Sequence, residues 1–383
     1  MSVVRDQGSG SVEPMSRPVG RLDNQWRFFP ERTSDTAGRA LRHRMCTKTP
    51  AMTRREFIDA ALALVVAPSM ASAAGQRTAS KVSRRKLGRT GADVSCIGVG
   101  GYHIGHQQDP AESIEIIRRA IDGGINFLDN CWDYNGGESE IRMGKALRDG
   151  YRAKAFLMTK IDGRDARTAA SQIDESLRRL QTDHVDLLQL HEVIRDDDPD
   201  RAFAAGGAIE AMVAARKAGK ARFLGFTGHK SPRIHLEMLD TAQANGFRFD
   251  TVQMPLNVMD AHFDSFERNV LPRLVREGIG ALAMKPMGDP FILETGTVSA
   301  RECLRYDLSL PVSVVITGID SLERLDQALS VARERKMLSE KDISTMLART
   351  AEAAKTGSVE KYKTSHHFDG TVQNPEWLGP RAG

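Results

Sequence analysis

Four residues of the 383-residue chain combine types and spacing that suit proton transfer: Asp129, Tyr134, Lys160 and His191. Asp129, Lys160 and His191 stand 31 residues apart in two equal steps, each at the end of a short apolar run, and Tyr134 lies five residues beyond Asp129. Tyrosine, with an ordinary pKa of roughly 10, is a poor acid at neutral pH. A nearby ammonium stabilises its phenolate, and a carboxylate keeps that ammonium in place and charged. A histidine beside them can donate to a substrate oxygen and orient it. Tyr134 as general acid, Lys160 as its tuner, Asp129 as anchor and His191 as orienter therefore make a set that can protonate the alkoxide formed when a carbonyl is reduced. Singly, each has a plainer explanation as a loop cap, a solvated charge, a packing ring or a structural histidine. Their joint occurrence at matched positions favours the chemical one.

The equal steps require a repeating scaffold. Short apolar runs at 94–99, 125–129, 155–159, 185–190, 222–226, 249–254, 279–284 and 313–316 alternate with segments of helical period, including 111–122, 169–180, 201–218, 231–245, 266–276 and 322–332. Strands alternating with helices indicate a parallel sheet covered by helices. Eight such units in about 250 residues fit an α/β fold of the (β/α)8, or TIM barrel, kind, which gathers strand ends on one rim. Gly98-Val99-Gly100-Gly101-Tyr102 does not continue into the G-x-G-x-x-G of an open dinucleotide-binding sheet. Residues 83–87 and 93–97 flank Gly88-Arg89-Thr90-Gly91 and predict a β-hairpin plugging the barrel bottom. Ser339 and Asp342 predict the N-cap of a further helix to about Lys355, followed by a tail, 356–383, long enough to fold over one barrel face.

Composition excludes several classes. A net charge of +4 from 54 basic and 50 acidic residues, dispersed along the chain, does not suggest nucleic-acid binding. No apolar run approaches the roughly 20 residues of a stable membrane span. Cys46, Cys96, Cys131 and Cys303 have no zinc or disulfide spacing. His106, His191, His229 and Asp129 fit no compact ligand set, so no metal is expected.

Residues 1–51 are expected to be a disordered or untranslated leader, with translation starting at Met45 or Met52. Residues 52–75 carry Arg54-Arg55, an apolar stretch and Ala71-Ser72-Ala73, the pattern of a twin-arginine export signal, and residues 82–383 form the catalytic part. The expected location is periplasmic or otherwise exported, or cytoplasmic if the signal does not function.

The stretch Gly124-Ile-Asn-Phe-Leu-Asp129-Asn-Cys-Trp-Asp-Tyr134, followed by Glu138-Ser-Glu140 and Met143-Gly144-Lys145-Ala146-Leu147, resembles the signature of the aldo/keto reductase family. So do Thr159-Lys160, the runs 176–180 and 186–191, and Gly219-Lys220-Ala-Arg-Phe-Leu-Gly225; the resemblance covers about residues 84–335. It implies a TIM barrel and reduction of a small aldehyde or ketone with NADPH, NADH being the alternative. It further implies that Thr227, Gly228, His229, Gln253, Met284, Lys285, Pro286, Met287, Gly288, Gly318, Asp320 and Ser321 hold the cofactor, and that Trp132 and Trp377 wall the substrate pocket. Three positions depart from the family pattern. Thr227-Gly228 replaces Ser-Asn, so that one carboxamide contact is lost or is supplied by His229. Met284 replaces an aromatic residue. Asp320 stands where an arginine often meets the 2′-phosphate, and it either selects NADH or caps the following helix with Glu323. The competing function within the family is a cofactor-binding regulatory subunit with little turnover.

Overall fold

The computed structural model describes residues 81–334 and 336–380, so the leader and export-signal expectations lie outside the described residues. Eight parallel strands close into a barrel: β3 (Ile97–Gly100), β4 (Phe127–Leu128), β5 (Phe156–Ile161), β6 (Val185–Leu190), β7 (Ala221–Thr227), β8 (Thr251–Pro255), β9 (Gly280–Met284) and β10 (Val314–Gly318), which pairs back onto β3. This is the expected (β/α)8 fold. The hairpin of β1 (Arg84–Lys86) and β2 (Asp93–Ser95) precedes it. Its Leu87 and Val94 are fully buried against Phe127, Phe156, Leu187 and Val314 from the barrel lumen, so the hairpin plugs the interior as predicted. Phe127 stacks on Phe156 at 5.3 Å, filling the lumen with rings rather than a channel.

Element boundaries moved where local chemistry overrode the apolar pattern. The run 94–99 is divided at Cys96, whose amide bonds Ser83 O in the hairpin while its carbonyl accepts from Val315 N in the barrel. The run 125–129 keeps only two strand residues, because Ile125 N still bonds Ala120 O of the preceding helix. The predicted helix 201–218 is two helices, Asp198–Phe203 and Ala208–Lys217. Between them Gly206 takes φ 72°, a conformation that ends a helix. The predicted helix 266–276 likewise breaks into Phe266–Asn269 and Leu271–Glu277, ahead of Pro272. The C-terminal helix Glu340–Ala354 starts with the expected Ser339/Asp342 capping box. Helix Ala300–Leu308, with its Ser299/Glu302 box, was not anticipated.

That last helix carries a buried carboxyl without compensation. Neither oxygen of Asp307 has a hydrogen-bond partner among the described residues. Burial, then the Glu267 and Asp260 charges, raise its pKa well above 3.8. A folded-state pKa above the unfolded one means stability is lost as pH rises from about 4, because the unfolded state gives up its proton first. Asp307→Leu is therefore expected to stabilise the protein at pH 7 by about 1–3 kcal/mol. The gain should shrink toward pH 4 in urea unfolding; a gain independent of pH would refute this account.

No helix among the described residues is long and apolar enough to cross a membrane.

Candidate active site

Asp129 follows β4, Lys160 is the fifth residue of β5, and His191 follows β6, so three adjacent strands bring them to the C-terminal rim. The ladder extends past the strand ends: Asp129 N bonds Val99 O, and His191 N bonds Ile161 O. Tyr134 begins the short turn after β4. That loop is held by buried Glu140, which accepts from Thr159 Oγ1 at 2.6 Å and from Arg179, whose Nη1 also donates to Trp132 O at 2.7 Å. The Glu138-Ser-Glu140 signature thus fixes the loop that carries the tyrosine.

The four residues meet. Lys160, 1% exposed, donates from Nζ to Asp129 Oδ1 at 2.5 Å, to Asn130 O at 2.8 Å and to the Tyr134 hydroxyl at 3.1 Å. His191 packs edge-on to the Tyr134 ring at 5.9 Å. Its Nδ1 lies 2.9 Å from Asp162 Oδ1 and 3.6 Å from Asp133 Oδ1, which leaves Nε2 to meet a substrate oxygen. Burial depresses the His191 pKa, but Asp133 and Asp162 overcome it and the net shift is upward.

Burial, then Asp129 and the neighbouring acidic groups, hold the Tyr134 phenol well above its usual value, against the Lys160 ammonium that donates to its oxygen at 3.1 Å. The resting site keeps the proton on Tyr134.

Sequence reasoning missed Asp133, Asp162, Arg164 and Glu192. Asp162 lies two residues beyond Lys160 and Asp133 one before Tyr134, positions that could have flagged them as partners of His191. Glu192, in the left-handed region at φ 46°, has no local sequence signal for its role. Its carboxylate accepts from Gly370 N at 2.9 Å, Thr371 N at 2.8 Å and Thr371 Oγ1 at 2.7 Å, tying the C-terminal tail to the rim.

The tail folds over the rim as anticipated, and it engages several of the proposed cofactor residues. His229 Nε2 lies 2.9 Å from Asp369 Oδ1. Lys285 Nζ sits 4.5 Å from the centre of the Phe368 ring. Trp132 and Trp377, the two residues expected at the substrate pocket, meet edge to face at 5.8 Å. Thr227 and Met284 contact each other, Oγ1 to Sδ, at 3.8 Å. A Cβ on Gly228 would lie 2.2 Å from Val193 O, so this backbone has no room for the side-chain amide that usually follows β7. Pro286 and Gly288 are buried in the loop after β9, beside half-buried Met287.

Asp320 pairs with Arg324 on the next helical turn. Ser321 Oγ accepts from Arg324 N, so Ser321 caps this helix rather than the expected Asp320 and Glu323 pair.

A model of the Aldo/keto reductase family matches residues 96–302. L-galactose dehydrogenase of Arabidopsis thaliana is 32% identical over 231 residues, covering 57% of this chain and 69% of that protein. Aldo-keto reductase YhdN of Bacillus subtilis is 34% identical over 198 residues, covering 48% of this chain and 55% of that protein. The holo form of aldo-keto reductase AKR11C1 from Bacillus halodurans shares the fold with a TM-score of 0.59 at 22% identity, over 70% of this chain and 96% of that one. With its barrel, its rim and more than half its length so matched, the chain belongs to the aldo/keto reductase family of oxidoreductases.

Proposed function

We propose that this oxidoreductase reduces an aldehyde or ketone to an alcohol with NAD(P)H, and that Tyr134 is its general acid. The observation that carries the reading is the Lys160 ammonium, held by Asp129 and donating to the Tyr134 hydroxyl at 3.1 Å. A reduced nicotinamide, when bound, supplies the hydride. Gln253 fits its carboxamide: Oε1 is buried without a partner among the described residues, while Nε2 is 3.4 Å from Asp129 Oδ2. Thr227, Met284 to Gly288, Gly318 and Ser321 would line the rest of its site. His191 holds the carbonyl oxygen through Nε2. Tyr134 passes its proton to that oxygen, Lys160 donates to the phenolate left behind, and Asp129 balances the ammonium throughout. Oxidation of NADPH by the purified protein with an aromatic aldehyde tests the function. Tight cofactor binding without turnover would favour the regulatory-subunit reading, which the intact group of four disfavours.

The Arg324 pairing shapes cofactor choice. It screens the Asp320 carboxylate and supplies an exposed guanidinium that would be available to a 2′-phosphate, which supports NADPH. Arg324→Ala is expected to weaken NADPH binding about tenfold, the worth of one charge-assisted hydrogen bond, with NADH little changed. Tighter binding of NADH than NADPH by the unmodified protein would refute that preference. Export through residues 52–75 is part of the same proposal, and the N-terminal peptide of the native protein reads it out.

A further inference from the structure

We propose that Cys131, Asp133, Asp162 and His191 form a zinc site directly behind the substrate-orienting histidine. Three successive strand ends contribute: Cys131 and Asp133 follow β4, Asp162 follows β5 and His191 follows β6. One ligand atom from each lies within 4.8 Å of all the others. Around His191 Nδ1, Asp162 Oδ1 stands at 2.9 Å, Cys131 Sγ at 3.3 Å and Asp133 Oδ1 at 3.6 Å. Zinc bonds of about 2.0–2.3 Å in a tetrahedron set neighbouring ligand atoms roughly 3.4–3.6 Å apart. The three separations from Nδ1 straddle that value and the remaining ones lie within 4.8 Å, so side-chain shifts toward a common centre would complete the shell.

A second observation points the same way. Asp162, whose side chain is 0% exposed, has Oδ2 without a hydrogen-bond partner, and so does Asp133 Oδ1. Two carboxylates and a thiol thus share a buried site with one imidazole, and the nearby cations are committed elsewhere. Lys160 is turned to Asp129, and Arg164 pairs with Asp198. One sulfur, one nitrogen and two carboxylates make a four-coordinate, borderline-soft donor set, which suits zinc rather than calcium or magnesium with their oxygen shells. The dispersal of the ligands over positions 131–191 hides the site from any spacing rule, which explains the expectation of no metal.

Binding would expel to solvent the Cys131 thiol proton and the imidazole proton on Nδ1 that faces Asp162, and sulfur and Nδ1 would then each give a lone pair to the ion, with no change of oxidation state. Coordination at Nδ1 confines the remaining imidazole proton to Nε2, the nitrogen that faces the substrate oxygen. Because protons leave, affinity falls with falling pH.

The test uses the full chain, stripped with chelator, reloaded with zinc sulfate, dialysed into metal-free buffer and assayed for zinc by mass spectrometry. The expected result is a single tightly held zinc per chain, and with cobalt a thiolate-to-metal absorption band. Cys303→Ser, which alters a buried thiol in a distant helix, should retain both. Cys131→Ser should lose the band and on the order of 100-fold in affinity, and Asp133→Asn on the order of tenfold. Substoichiometric zinc in the unmodified protein would overturn the proposal, as would unaltered binding by a folded Cys131→Ser protein. Should circular dichroism show that variant unfolded, Asp133→Asn decides by the same criterion. Metal content is read without turnover, so a failed reductase assay and a failed zinc assay remain distinguishable.

Discussion

Tyr134→Phe is expected to slow carbonyl reduction on the order of 10²- to 10⁴-fold, the range for a positioned proton donor, while cofactor affinity stays unchanged. The substitution removes a single oxygen. The ring stays where Tyr102, at 5.5 Å, and His191, at 5.9 Å, hold it edge to face, so loss of rate cannot be ascribed to a collapsed loop. Lys160 loses the acceptor at 3.1 Å but keeps Asp129 Oδ1 and Asn130 O, which preserves the ion pair. Single-turnover reduction, with cofactor affinity taken separately from fluorescence titration, isolates the chemical step. A near-normal rate would remove Tyr134 from the mechanism. The raised phenol pKa adds a second signature: the unmodified enzyme should show no loss of kcat/KM from Tyr134 ionisation below about pH 10, the ordinary value that burial and Asp129 push upward.

The residues that meet at the rim were legible because a barrel converts sequence period into position. Equal steps of 31 residues put Asp129, Lys160 and His191 on neighbouring strands, and parallel strands leave them on one face. The strands themselves were readable from their apolar runs, most exactly at 185–190, where both faces are buried and nothing competes with the pattern. What the sequence hid are contacts between segments far apart in the chain. Glu192 meets Gly370 and Thr371, and His229 meets Asp369; no local pattern encodes such pairings. Helix breaks at Gly206 and before Pro272 were readable in principle, since glycine and proline mark them, but apolar periodicity runs through both sites. The direction of the Tyr134 shift was not readable at all. It depends on how completely the phenol is buried among acids, a property of packing rather than of residue type.

Arg164→Leu is expected to destabilise the protein by about 3–5 kcal/mol, the cost of leaving a buried charge without its partner. Arg164 is 1% exposed and joins the loops that follow β5 and β6. Nε donates to Asp198 Oδ1 at 2.8 Å, Nη1 to Asp162 O at 2.6 Å, and Nη2 to His191 O at 2.7 Å and Glu192 O at 2.9 Å. Leucine would strand three carbonyls and the fully buried Asp198 carboxylate. Burial pushes the Asp198 pKa up, but Arg164 and the amides of Ile194 and Arg195 outweigh it and hold it below the usual value. A depressed folded-state pKa contributes stability above pH 4 or so, and that contribution is lost as pH falls through the folded pKa. The deficit of Arg164→Leu should therefore be largest near neutrality and narrow in acid, where Asp198 takes up a proton. Arg164→Leu combined with Asp198→Leu should recover part of the loss, because no charge is then left unpaired. A double variant as unstable as the sum of the two single ones would show that the ion pair is not the source. Arg164 also fixes the backbone of His191 and Glu192, so the folded fraction of Arg164→Leu should show a raised KM for the carbonyl. Equal KM in the variant and the unmodified enzyme would confine Arg164 to stability and leave His191 positioned by Asp162 and Asp133 alone.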